Sequence, residues 1–110
     1  MFNIFYAHPM LRRELAEKIK NSVYDWAKQY PHVELSLVEV YPSGIRDNVH
    51  VIVVAKKGFD NWRKIERQND IADFINKQLG DHIVVKIPIL HAFTEEQYEK
   101  YEIARDGAFV

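Results

Sequence analysis

Apolar residues along this chain recur first at every second position, then at every third or fourth, then at every second again, and this succession of periods occurs twice. Phe2, Ile4 and Tyr6 alternate with Asn3, Phe5 and Ala7. The run Phe2–Ala7 reads as a short strand with both faces largely apolar, interior to a sheet. His8-Pro9 breaks it, and a proline is well tolerated in a first helical turn. Leu11, Leu15, Ile19, Val23, Trp26 and Tyr30 then form one face of an amphipathic helix over Leu11–Tyr30. Arg13–Glu17 and Glu14–Lys18 pairs support its solvated side, and Pro31 ends it. In Val33–Tyr41, Val33, Leu35 and Leu37 keep one phase while Val38 and Val40 take the other. That slip predicts a bulge near Leu37–Val38.

Pro42-Ser43-Gly44 is a turn signal prolonged by Arg46-Asp47-Asn48. Val49–Ala55 is nearly continuous in β-branched residues, the mark of a central strand buried on both faces. Asp60 or Asn61 is suited to cap a second helix. Its predicted apolar stripe is Trp62, Ile65, Ala72, Ile75 and Leu79, and Gly80 stops it. Ile83, Val85, Ile87 and Ile89 alternate as a last strand, Ile83–Leu90, which Pro88 assigns to a sheet edge. Thr94 with Gln97 forms a capping box for a short final helix through Arg105.

The predicted fold class is therefore α/β, an α+β two-layer sandwich of order β-α-β-β-α-β plus a short C-terminal helix. Its four-stranded mixed sheet would carry two helices on one face. The 110 residues suit a single domain, 1–110, with one core. Two helices would leave the sheet's far face bare, and strands this apolar would expose a large patch there. Self-association as a homo-oligomer is the expected cover, set against a sheet curled enough to bury that face within one subunit.

Composition narrows the chemistry. Net charge is −1, without the basic excess of a nucleic-acid reader, and Val49–Ala55 lacks the aromatics of an RNA-stacking sheet. Cysteine is absent, which removes disulfides, thiolate metal sites and a cysteine nucleophile and fits a reducing compartment. No apolar run reaches the roughly 20 residues of a membrane span, and Met1–Ala7 lacks a signal-peptide pattern. The expected location is the cytoplasm, with no membrane, nucleic acid, metal or cofactor.

Among the five histidines, His82 and His91 flank the predicted last strand. They lie roughly 30 Å apart at about 3.3 Å per residue, too far to share a metal. His50, beside the central strand, is a candidate base, set against a satisfied and partly buried histidine. Lys56, Lys57, Arg63, Lys64 and Arg67 gather at the start of the second helix and read as a solvated basic rim. Arg12, Arg13 and Arg46 are candidate holders of a small carboxylate, since arginine suits planar carboxylates; surface charge is the plain alternative. Tyr98, Tyr101 and Phe109 read first as packing residues.

Val49–Val54, the run Glu66-Arg67-Gln68-Asn69-Asp70-Ile71-Ala72-Asp73-Phe74-Ile75, the run Val84-Val85-Lys86-Ile87-Pro88-Ile89-Leu90, and Tyr101 with Asp106-Gly107-Ala108-Phe109 together resemble the tautomerase superfamily. That resemblance implies paired β-α-β units, a trimer or hexamer (a trimer is favoured) and isomerase chemistry on small keto or enol acids. The superfamily's catalytic base is an N-terminal proline; here Phe2 follows Met1. The amine of Met1, a primary amine with a pKa of about 8, would be the base instead, with Arg12 or Arg46 holding a carboxylate. A second resemblance rests on Phe59, Glu66-Arg67-Gln68 and Thr94-Glu95-Glu96, which are similar to BolA-like proteins. Those bind monothiol glutaredoxins and share an iron–sulfur cluster. Their ligand histidine near the start of the last strand corresponds here to about Lys86, and the strand Phe2–Ala7 is extra. Two functions stay open: a divergent isomerase of the tautomerase type, and a non-enzymatic oligomeric binding or regulatory module, ferredoxin-like or BolA-like. Phe2 leans toward the second.

Overall fold

A computed structural model describes the backbone of residues 3–107 and the side chains of residues 13–105. The elements in chain order are α1 (Asn3–Ala27), β1 (Glu34–Pro42), β2 (Val49–Lys57), α2 (Lys64–Leu79), α3 (Asp81–Val84), β3 (Ile89–Thr94) and α4 (Glu95–Gly107). Among the described residues there is one three-stranded mixed sheet of order β1-β2-β3. β1 runs antiparallel to β2, and β2 runs parallel to β3. Among the described residues the doubled β-α-β with a four-stranded sheet does not form.

Two elements account for the difference. Residues 3–7 belong to α1, which continues through Pro9 to Ala27. A short, almost wholly apolar run carries no periodicity that separates strand from helix, and here it continues the helix that follows. The second misreading is Ile83–Leu90. Gly80 ends α2, as expected, and the chain then makes the single turn α3, with Ile83 buried. Val85 is 73% exposed and Ile89 41%, so the alternating residues do not share a buried face. The ladder with β2 starts only at Ile89, opposite His50. It follows directly on Pro88, which has no N–H to give to a ladder. β3 is nonetheless an edge strand, as Pro88 indicated, and β2 is central.

β2 alternates between two cores. Val49, Val51, Val53 and Ala55 face the larger one, with Leu15, Ile19, Val23 and Trp26 of α1, Ile71 and Ile75 of α2, and Val38 and Ala92. Ile52 and Val54 face the smaller one, with Phe93, Leu37, Tyr41, and Tyr98 and Tyr101 of α4. α4 therefore covers the sheet face that two helices would have left bare, which removes the premise from which self-association was expected. The phase slip in β1 is a bulge at Ser36: Leu35 pairs with Ala55 but Leu37 with Val54. It lies one residue before the predicted place and turns Leu35, Val38 and Val40 toward the larger core.

Local chemistry fixes the ends of these elements. Thr94 and Gln97 make the reciprocal capping box at the start of α4: Gln97 N–H donates to Thr94 Oγ1 at 3.1 Å, and Thr94 N–H donates to Gln97 Oε1 at 3.0 Å. α2 starts differently from expectation. Arg63, not Asp60 or Asn61, is its N-cap, without a side-chain cap. Its buried face is Arg67, Ile71 and Ile75, while Ile65 of the predicted stripe is exposed. Gly58 closes β2 at φ +98, where a Cβ would stand 2.5 Å from the carbonyl oxygen of His32. Only glycine lets the turn after β2 approach the α1–β1 loop this closely.

Candidate functional site

Of the residues first singled out as candidates, the structure describes the side chains of Arg13, Arg46 and His50. Met1 and the side chain of Arg12 lie outside the described residues. Arg13 is exposed on α1, whose buried face packs on the larger-core side of the sheet. His50 is half-buried on the opposite side, edge-to-face with Tyr41 at 5.3 Å. The sheet therefore separates Arg13 from His50. Arg46 is exposed in the β1–β2 loop at φ +51.

Arg67, read from the sequence as part of a solvated rim, is 5% exposed. Its Nε donates to the Trp62 carbonyl at 2.7 Å and Nη2 to the Phe59 carbonyl at 2.9 Å. Nη1 donates to the Ala92 carbonyl at 2.9 Å and to Gln97 Oε1 at 3.0 Å. The guanidinium also lies 4.9 Å from the Phe59 ring centre. One side chain thus joins α2, the loop before it, β3 and the first turn of α4. A fixed fork of five donors suits such a junction, and a lysine ammonium does not. Burial lowers the Arg67 pKa, and nearby Asp60 opposes that shift.

A polar cleft of about 410 Å³ opens between α1 and α2, lined by residues that include Gln29, Asp70, Asp73 and Lys77. At its base one oxygen of Asp70, Oδ2, accepts from Trp26 Nε1 at 2.8 Å and from Tyr30 Oη at 2.6 Å. Trp26 stacks on Trp62 at 5.9 Å, with Tyr30 and Phe59 around it. The hydrogen bond to Asp70, then burial, pushes the Tyr30 pKa up to about 12. Both donors are taken up by the carboxylate, which makes this corner a fastening between helices.

A second cleft, of about 350 Å³, lies where the start of α2, the strand β3 and the helix α4 meet. Lys64, His91, Phe93, Gln97, Lys100 and Tyr101 line it. His91 and Phe93 are two apart on β3 and therefore share a face; their rings stack at 4.8 Å and 16°. Tyr101 closes on both rings, at 5.2 Å and 5.1 Å. Lys64 Nζ stands 4.6 Å from the Phe93 ring centre, a cation–π contact. Burial lowers the His91 pKa, and the charges of Lys64 and His50 add to that, which favours the neutral imidazole. Burial, then a hydrogen bond with Tyr101, raises the Tyr41 pKa. The cleft offers ring faces and N–H donors, a set suited to holding a ligand.

Most of these residues escaped the sequence reading. His91 was weighed only against His82 as a metal partner, and Tyr101 as packing. Lys64 and Gln97 come from elements that only the parallel β2–β3 crossover brings together. Among the described residues no group of three or more His, Asp or Glu side chains is placed to hold a metal ion, and no helix is long and apolar enough to cross a membrane. No family model, curated protein or solved structure matches the chain.

Proposed function

We propose that this protein is a non-enzymatic binding module of the BolA-like kind, working in the reducing cytoplasm, that docks on a monothiol glutaredoxin without ligating its cluster. The observation carrying this reading is that residues 3–27 form one helix. The strand that set the chain apart from BolA-like proteins is thereby gone, and so is the first of the paired β-α-β units that the tautomerase resemblance implied. The placement of Arg13 and His50 on opposite sides of the sheet supports the same reading.

The residue at the cluster-ligand position does not fit an iron–sulfur cluster. Lys86 lies between α3 and β3, and its Nζ is 2.7 Å from Asp47 Oδ2. A protonated amine held by a carboxylate has no lone pair for iron. The role left to this chain is therefore recognition of the partner.

The test is a titration of the isotopically labelled chain with a monothiol glutaredoxin, apo and cluster-loaded, followed by amide NMR and by the visible circular dichroism of the cluster. Both forms should bind with affinities within about threefold of each other, and the cluster spectrum should stay unchanged. Absence of binding to either form would sink the proposal. A changed cluster spectrum would show that the chain supplies a ligand.

A further inference from the structure

We infer that the cleft between α2, β3 and α4 binds a small planar aromatic carboxylate. This site is independent of the docking role proposed above, and nothing in that reading requires it. Its lining is aromatic: the His91 and Phe93 rings stack nearly parallel, 16° apart in tilt and 4.8 Å between centres, with Tyr101 tilted against both. Phe93 is buried, at the bottom of the cleft. A planar ring entering the cleft meets this aromatic cluster through stacked or edge contacts.

The rim is of one sign. None of the six lining residues is acidic, and two are lysines. Lys64 has the Phe93 ring beneath its ammonium and no ion pair among the described residues. Lys100 pairs with Glu96 at 3.3 Å, and both side chains are more than 70% exposed; an exposed pair of this kind contributes little and exchanges readily. Gln97 Oε1 already accepts from Arg67 Nη1 and Thr94 N–H, which leaves its amide group as the remaining donor.

The two features together select the ligand. A phosphate would give up strong hydration to sit on rings, and a neutral aromatic would leave the Lys64 ammonium without an anion. A ring bearing a carboxylate uses both. The volume of about 350 Å³ is at the small end of the range of roughly 300–1,000 Å³ for ligand cavities, which favours one or two fused rings over a peptide.

The probe is 2-naphthoate, titrated into the labelled full chain at pH 7.5, with 2-naphthalenemethanol as its neutral counterpart. Aromatic NMR signals of Phe93 and Tyr101 should shift and saturate with a Kd below about 1 mM, and the alcohol should bind about tenfold more weakly. Lys64→Gln should cost about tenfold, Lys100→Gln severalfold, and Arg13→Gln nothing, each variant retaining a dispersed spectrum. Equal binding of the alcohol would overturn the inference, as would no shift at these rings up to about 10 mM ligand. So would ring shifts that follow protein concentration without ligand, because a second copy of the chain would then fill the cleft.

Discussion

Asp70 holds two aromatic side chains on a single oxygen. Trp26 is fully buried, so its indole N–H has no water to replace the carboxylate. Asp70→Ala should destabilise the protein by about 1–3 kcal/mol, the usual cost of stranding a buried donor, read from a urea midpoint. The same substitution should return the Tyr30 pKa from about 12 toward 10, followed through the Tyr30 ring signals. The sign of the linkage is fixed by that shift. An unfolded Tyr30 loses its proton near pH 10, the folded one near 12, so the unfolded state binds fewer protons in between. The contribution of this contact to stability is whole below pH 10 and falls as pH rises toward 12. In Asp70→Ala that alkaline loss should be smaller, with only the part due to burial remaining.

Arg67 acts between elements. Its carbonyl partners belong to the loop before α2 and to β3, and its amide partner to α4. Arg67→Lys keeps the charge and loses the fork, leaving buried carbonyls unpaired. It should cost about 3 kcal/mol in chemical denaturation, more than a surface lysine-for-arginine exchange by an order of magnitude. A change under about 1 kcal/mol would mean that the junction does not hold the elements together. Helix starts show the same contrast between local and tertiary causes. α4 begins where Thr94 and Gln97 satisfy each other's neighbours in sequence, and that box is legible in four residues. α2 begins at Lys64 without a side-chain cap, placed by Arg67 reaching back to Phe59 and Trp62, and nothing in Asp60-Asn61 reveals it.

For the whole molecule the decisive element is α4. Tyr98 and Tyr101 lie over Ile52, Val54 and Phe93 on the face of the sheet opposite α1 and α2. A chain ended after Thr94 should leave that apolar face wet and associate with rising concentration, beyond whatever the full chain does, as seen by sedimentation velocity. Unchanged sedimentation would show that α4 is not the cover. The same helix supplies Gln97, Lys100 and Tyr101 to the cleft, so the element that closes the fold also completes the candidate ligand site.

The sequence by itself determined what local periodicity and short-range hydrogen bonding decide. β2 is central because Val49–Ala55 is apolar on both phases, β1 is bulged because its phase slips, α2 stops at Gly80, and α4 is capped by Thr94 and Gln97. The tertiary structure alone decided whether the apolar run before His8 joined a sheet or a helix, and where after Gly80 the last strand began. Both segments are short enough that strand and helix patterns coincide, and the choice falls to the partners each run meets in space. The site escaped for a related reason. Lys64, His91 and Tyr101 are distant in sequence, and only the parallel crossover through α2 and the fold-back of α4 place an ammonium, an imidazole and a phenol around one ring.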